Sequence, residues 1–460
     1  MSMTTDTPLS RLGEELAGRV ILPEDRDDYD TARALFNGRI DRRPAAIAQC
    51  ASVADVQRAL ASGRDGGLEI AVRGGGHGVA GRALCDGGLV IDMRHMNDVS
   101  VDPDRGTVQV GGGAVMGDLD RATQPHGLAA PGGRVSTTGV GGYVLGGGDG
   151  WMARKLGLAC DSLVDAELVT ADGSLVRASE AENPELFWAL HGGGGNFGVA
   201  TRFTLRLSSL PTITFAFLFW PVDEAESVLS RYRDFMEDAS DDVGGAALLL
   251  TGPDEPFVPE ALQGRPCFAL LVAVAREGAT ARPLLAPMLG LGHAGGCVET
   301  VPYADFQCMF DDPPGYRNYW SAEYLTGFPG AAVTAFLDAG RDIPAPSPSM
   351  QPLFPQGGAI ARGPADTPLP WRTASWAVHP LGMWADPAHD AAGRAWARGV
   401  REAMQPWAQG GVYLNFLGAE EDAERIVAGW GAENYARLQE VKRAFDPHNV
   451  FCNNHNIAPA

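Results

Sequence analysis

Apolar and polar positions change period several times along this 460-residue chain, and each change marks an element. Leu12, Leu16 and Val20 stand at helical spacing, so residues 8–37 predict a short helical lead-in trailing into an acidic stretch. Between Ala45 and Asp172 strands alternate with short helices. Residues 53–60 predict a helix with Ser52 as its N-cap, and 115–126 predict another. Apolar runs at 68–72, 89–92 and 107–111 predict strands. Residues 167–170 and 175–176 flank Asp172-Gly173, the signature of a β-hairpin. Asn183-Pro184 opens a helix over 183–190, because proline suits the first helical position, where its missing N–H is not needed. Near Ser208-Ser209-Leu210-Pro211 the character changes. Alternation over 212–220 begins a region of strands and proline-rich loops, with further strands at 267–274 and 374–378 and a loop at 343–348. Helical period returns near residue 422 and runs over 433–445, where Asp446-Pro447 stops it. No repeat interrupts this α+β pattern.

Two glycine-rich segments stand outside the periodic elements. Residues 72–81, VRGGGHGVAG, follow the strand at 68–72 and place His77 among glycines. Such glycines let the backbone approach a ligand and aim successive N–H groups at an anion, usually phosphate. Gly76 to Gly81 form a G-x-G-x-x-G, which invites a nicotinamide Rossmann reading. That reading requires a helix to open at the third glycine. Here Arg82-Ala83-Leu84-Cys85-Asp86-Gly87-Gly88 lead straight into the next strand, so it fails. Residues 131–150, PGGRVSTTGVGGYVLGGGDG, repeat the same chemistry with hydroxyls. Two such loops imply a long ligand lying between them.

With these motifs, the run LVDAELVTADG (163–173), ENPELFWALHGGGGNFGV (182–199) and the tail VKRAFDPHNVFCNNHNIAP (441–459), the chain resembles the berberine-bridge-enzyme-like branch of the vanillyl-alcohol oxidase and p-cresol methylhydroxylase flavin oxidases. The resemblance implies an α+β architecture with a two-part FAD-binding domain, 1–207 and 422–460. An inserted antiparallel-sheet substrate domain, 208–421, would cover the flavin ring. It also implies an FAD-dependent oxidase that moves a hydride from a small organic substrate (an alcohol, an amine or a secondary metabolite) to flavin N5. Oxygen would then regenerate the flavin and yield hydrogen peroxide. A flavin dehydrogenase, a monooxygenase and a non-catalytic flavin- or ligand-binding protein are the alternatives left open.

Composition narrows the partners. A formal charge of −21 argues against nucleic acid and anionic membranes. No apolar run reaches transmembrane length, and the first twenty residues carry no signal-peptide pattern, so the expected location is cytoplasmic. Seven scattered cysteines, 50, 85, 160, 267, 297, 308 and 452, show no C-x-x-C spacing, and the histidines are not spaced as metal ligands. Neither a disulfide framework nor a metal is expected. Oligomeric state is not legible.

The resemblance assigns residues. His77 matches the histidine that bonds covalently to the flavin 8α carbon, within a loop formed by Arg73, Gly74, Gly75, Gly76 and Gly78. Val135 stands where many relatives carry a second, cysteine tether, so a single tether is expected. This pattern resembles the bacterial members of the 6-hydroxy-D-nicotine-oxidase and EncM type. Ser136, Thr137, Thr138, Gly139, Gly141, Gly142, Gly146 and Gly147 are the pyrophosphate candidates. Asn196 and Val199 are expected near the adenine end. Asn453, Asn454 and Asn456 match a position that closes over the flavin ring. Alcohol-oxidising relatives carry a tyrosine base at the end of Tyr-x-Asn-Tyr, whereas this chain reads Tyr413-Leu414-Asn415-Phe416. Phe416 cannot take a proton, leaving Tyr413 and Asn415 as the polar members of the motif. His379 is a second candidate base, its competing reading being a surface histidine before a proline turn.

Overall fold

A computed structural model describes residues 8–460, in which four β-sheets organise the chain. In the first sheet Ala46–Gln49, Leu89–Asp92 and Ile70–Arg73 run parallel, and Arg19–Ile21 pairs antiparallel with Ala46–Gln49 at the edge. Val20 therefore lies on a strand and not on a helix, a correction to the expected lead-in. The helix Pro8–Glu15 ends before Gly18, whose backbone presses on the Gln49 carbonyl too closely for any Cβ. The acidic stretch beyond it holds a second helix, Asp27–Arg33. Ser52 caps the helix Val53–Asp65, its hydroxyl accepting the Asp55 N–H at 3.2 Å.

The second sheet is antiparallel, in the order Val99–Asp102, Thr107–Gly111, Val199–Arg206, Leu163–Val169 and Leu175–Ser179. Its last hairpin turns at Asp172-Gly173, with Gly173 at φ +90° and the Asp172 carboxylate accepting from Thr170 and Ser174. The helix expected over 115–126 is Met116–Thr123 followed by a tighter turn, Gln124–His126, because Pro125 has no N–H to continue the ladder. A short pair, Leu128–Ala129 with Ser208–Ser209, leads out of this region.

Nine antiparallel strands form the largest sheet, spanning residues 212–384. Its strands alternate between two apolar faces. On Thr212–Pro221 the side chains of Ala216, Leu218 and Trp220 meet four helices, Ala225–Asp238, Gly278–Leu289, Gly330–Gly340 and Asp390–Met404. Phe215, Phe217 and Phe219 point the other way, into a cluster with Trp151, Phe306 and Phe354. Pro266–Val274 divides likewise, Phe268, Leu270 and Val272 to one side and Ala269, Leu271 and Ala273 to the other. A sheet buried on both faces has no polar alternation to read.

The tail returns to the first two sheets. Leu438, Val441 and Ile457 join the core of the second sheet, and Phe451 joins that of the first. At the hinge of this return Lys442 Nζ, fully buried, donates to Asp446 at 2.7 Å and to the carbonyls of Asn196 and Phe451. Asp446 in turn accepts the Val450 and Phe451 amides, so every group in the cluster is paired. Among the described residues no helix is long and apolar enough to cross a membrane.

Candidate functional site

The strand Ile70–Arg73 delivers the glycine–histidine loop against segment 131–150. The two loops touch backbone to backbone: a Cβ on Gly75 would stand 2.5 Å from the Gly139 nitrogen. Glycine is required on both sides of that contact. Arg73 anchors the loop from behind. Its buried guanidinium donates to the carbonyls of Ala32 and Ala34, and burial lowers its pKa to about 10. Gly76 turns the chain at φ +71°.

His77 emerges from this turn. Its ring stacks on Phe36 at 3.8 Å between centroids, with Trp320 at 6.0 Å. Nε2 is sealed from solvent and has no partner in the protein. Burial depresses the imidazole pKa to about 4, so at neutral pH the ring carries a free lone pair. A neutral imidazole held this way is a nucleophile.

Both loops, the turn Gly192–Gly195, the tail and one face of the nine-stranded sheet enclose a cavity of about 360 Å³. Of the expected residues, Gly74, Gly75, Gly76, His77, Gly78, Thr138, Gly139, Gly142, Gly146, His379, Tyr413, Asn415, Asn453 and Asn454 line it. His379 is buried here, not at the surface. Its Nδ1 bonds the Ser321 carbonyl at 2.7 Å, and because a carbonyl only accepts, Nδ1 carries the proton and Nε2 the lone pair. The ring lies flat on Phe416, 3.6 Å between centroids, and burial lowers its pKa to about 3.

Tyr413 is arranged differently. Its hydroxyl oxygen accepts from the Gly148 amide at 3.1 Å and from Asn415 Nδ2 at 2.8 Å, while burial pushes its pKa up. Desolvation outweighs the two donors, so the phenol stays protonated. Tyr413 and Asn415 brace the loop at 146–150, and a Cβ on Gly146 would collide with the Asn415 amide.

Several expected ligands are engaged elsewhere. The Ser136 amide and hydroxyl both donate to Asp311, at 2.6 and 2.5 Å, which places a carboxylate where a phosphate was expected. Thr137 and Asn456 are exposed and stand off the cavity. Arg73, Gly141 and Gly147 pack behind its wall, Gly141 against the Gly112 carbonyl and Phe203. Val199 begins a central strand opposite Val169 and is buried in the core of the first sheet. Asn196 does line the cavity. It ties the glycine turn to the tail, donating to the Gly193 and His455 carbonyls and accepting the Ile457 amide.

Residues 44–179 match the FAD binding domain family, and 412–458 match the berberine and berberine-like family. The chain is 33% identical to (R)-6-hydroxynicotine oxidase of Paenarthrobacter nicotinovorans over its full length and 99% of that protein. The chain belongs to the berberine-bridge-enzyme-like FAD-linked oxidases. It is also 30% identical to the uncharacterized FAD-linked oxidoreductase YgaK of Bacillus subtilis, over 97% of this chain and 98% of that one. The crystal structure of 6-hydroxy-D-nicotine oxidase from Arthrobacter nicotinovorans superposes with a TM-score of 0.85 at 31% identity, covering 97% of this chain and 98% of the other. The protein is thus an FAD-dependent oxidase, and the dehydrogenase, monooxygenase and non-catalytic alternatives find no support.

The cavity suits FAD on its own chemistry. His77 Nε2, Trp151 Nε1, Asn454 Oδ1 and His455 Nδ1 line it as buried polar atoms without protein partners. Such atoms are costly unless a ligand pairs them. The glycine loops line the cavity beside them, and Arg82 adds a cation.

Sequence reasoning missed Arg134 and Asp149, which face each other across the second loop at 3.0 Å. It also missed Trp151, Trp430 and the sheet residues Met350, Pro352 and Phe354. Arg134 and Asp149 both sit inside the glycine-rich segment 131–150, so spacing could have found them. The sheet residues carried no signal beyond being apolar. None of the seven cysteines lines the cavity, and among the described residues no group of three or more His, Cys, Asp or Glu could hold a metal ion.

Proposed function

We propose that the chain oxidises a small organic substrate with FAD held in this cavity and tethered through His77 alone. Residues 1–207 and 422–460 would make the cofactor part and 208–421 the substrate part. The observation that carries the reading is His77 itself, a neutral imidazole with an unpartnered Nε2 at the lip of two glycine loops. Val135 and the absence of cysteine from the cavity wall support a single tether.

FAD bound there supplies hydride acceptance at N5 and two-electron transfer to O₂, giving hydrogen peroxide. The protein residues orient substrate and handle its proton. His379 presents Nε2, because Ser321 fixes the opposite nitrogen as the donor. An imidazole titrating near 3 is a weak base at rest. Hydride loss, however, turns a substrate hydroxyl into a strong acid, so the proton passes to Nε2 as the hydride leaves. Tyr413 and Asn415 position the loop beneath, and Phe354, Phe416 and Trp320 keep water out.

The oxidase half of the proposal is tested without knowing the substrate. Dithionite reduction of the bound flavin under argon, followed by admission of O₂, is expected to release one peroxide per flavin. A reduced flavin that persists in air, or reoxidises without peroxide, would overturn it.

A further inference from the structure

The second glycine loop is gripped from outside by the helix Tyr303–Cys308, which leaves the edge of the nine-stranded sheet at Pro302, and by the turn after it. The Gly132 amide donates to the Tyr303 hydroxyl at 3.3 Å, and Gln307 Nε2 donates to the Gly133 carbonyl at 2.6 Å. Asp311 takes the Ser136 amide and hydroxyl. Gly133, Arg134 and Val135, between these grips, line the cavity. A Cβ on Gly132 would stand 2.4 Å from Gln307 Nε2, so the amide presses directly on the loop backbone.

Gln307 meets Asp120, on the helix Met116–Thr123. Both are buried, at 1% and 2% exposure. Gln307 Oε1 and both Asp120 oxygens nevertheless have no hydrogen-bond partner. Among the described residues no cation pairs with the carboxyl. Arg121, next to it in sequence, reaches out to Asp118 at 3.3 Å. Tyr303 and Cys308 face Asp120 from the other helix, and burial holds both protonated. Asp311 is spent on Ser136, Asp102 on the adjoining strand is paired with Arg105 at the surface, and His126 is exposed.

The chemistry of these atoms allows one arrangement that pairs them. An ionised Asp120 only accepts, as does Gln307 Oε1. Turning the amide over would aim Oε1 at the Gly133 carbonyl, acceptor against acceptor. A carboxylic acid supplies the missing donor. We propose that Asp120 is a neutral acid whose proton is donated to Gln307 Oε1, and that the two are positioning residues for the cavity wall at Gly133–Val135. Burial pushes the Asp120 carboxyl up to about 8, against a weaker opposite pull from Gln307 and Arg121. Above that pH the acid ionises, the donor is lost and the grip on Gly133 loosens. That this wall adjoins a flavin rests on the function proposed above; the protonation of Asp120 does not.

The holoenzyme and its isosteric Asp120→Asn variant test both halves, since the asparagine N–H makes the same bond at every pH. Folded wild type keeps a proton that the unfolded chain releases above about pH 4, so its stability falls relative to the variant as pH rises from there to about 8, then levels off. The thermal midpoint of Asp120→Asn minus that of wild type is expected to grow by more than about 3 °C between pH 5 and pH 9. A difference that stays constant or shrinks overturns the neutral acid. The positioning role is read from the visible absorbance of the flavin. Wild type is expected to show a spectral step near pH 8 that Asp120→Asn lacks, and Gln307→Leu to show the alkaline form at every pH. The same pH course in wild type and Asp120→Asn overturns the role, and that comparison stands even where Gln307→Leu does not fold. Melting reads the chain and not the cofactor, so failure of the clamp and failure of the flavin reading are distinguishable.

Discussion

Gly75→Ala tests whether the two glycine loops are a single cradle. The Cβ it adds would stand 2.5 Å from the Gly139 nitrogen, 2.7 Å from the Gly139 Cα and 3.1 Å from the Thr137 carbonyl oxygen. All three atoms are backbone, so no side chain can swing aside. Ordinary contact needs about 3.5 Å or more, so the loops must part by roughly 1 Å. Overpacking of this kind costs about 1–3 kcal/mol, at the upper end where only backbone can yield. Because both loops line the FAD cavity, the same displacement should loosen the cofactor. The assay pairs the flavin-to-protein absorbance ratio after gel filtration with the thermal midpoint. Gly399→Ala serves as control, since its Cβ meets nothing within 4 Å on an exposed helix turn and should gain about 0.5–1 kcal/mol. We expect Gly75→Ala to lose flavin and melt lower while the control does neither. A variant that keeps its full flavin complement and the native midpoint would refute the close-contact account.

The buried histidines set an acid limit. His379 and His455 are depressed by burial to about 3 and about 4. The unfolded chain takes up protons below about 6.5 while the folded one does not, so stability falls as pH drops from 6.5 toward those values, by about 1.4 kcal/mol per pH unit for each histidine. Melting curves across pH 4–7 should show this slope and should flatten in His455→Gln; a flat native profile would contradict it. Lys442→Met strips the buried Asp446 of its counter-charge and orphans the Asn196 carbonyl, while the Phe451 carbonyl keeps its bond from Asn454, a loss of about 3–5 kcal/mol. Its thermal midpoint should fall well below that of the exposed Arg443→Met, and equal midpoints would remove the hub. In His379→Gln, stopped-flow reduction of the flavin by substrate should slow by about 10²–10⁴-fold; an unchanged rate would assign the proton to another group.

Local chemistry made much of this molecule legible from its sequence. Glycine loops, the Ser52 cap, the Asp172-Gly173 turn and the Asp446-Pro447 stop each act within a few residues, and the structure has all four. His77 was readable because its neighbours are glycines. Two of the four helices behind the large sheet were not, whereas Ala225–Asp238 and Asp390–Met404 bury a regular helical stripe that went unread. Gly278–Leu289 carries Pro283 and Pro287 inside, and Gly330–Gly340 is small and apolar nearly throughout, so neither shows a polar face. Strands such as Val243–Thr251 escaped because burial on both faces erases the two-residue period. Ser136 misled for another reason: its partner, Asp311, lies 175 residues away. A still longer separation hid the sheet wall of the cavity, where Phe354 packs beneath Arg134.

A flavin bonded to His77 survives denaturation of the chain. Wild-type protein and His77→Ala are denatured in acid, precipitated and scanned, and the intact mass of each pellet is recorded. We expect yellow colour and the mass of one FAD to stay on the wild-type chain and flavin to be released to the supernatant from His77→Ala. Flavin released from both chains, or retained on His77→Ala, would contradict it.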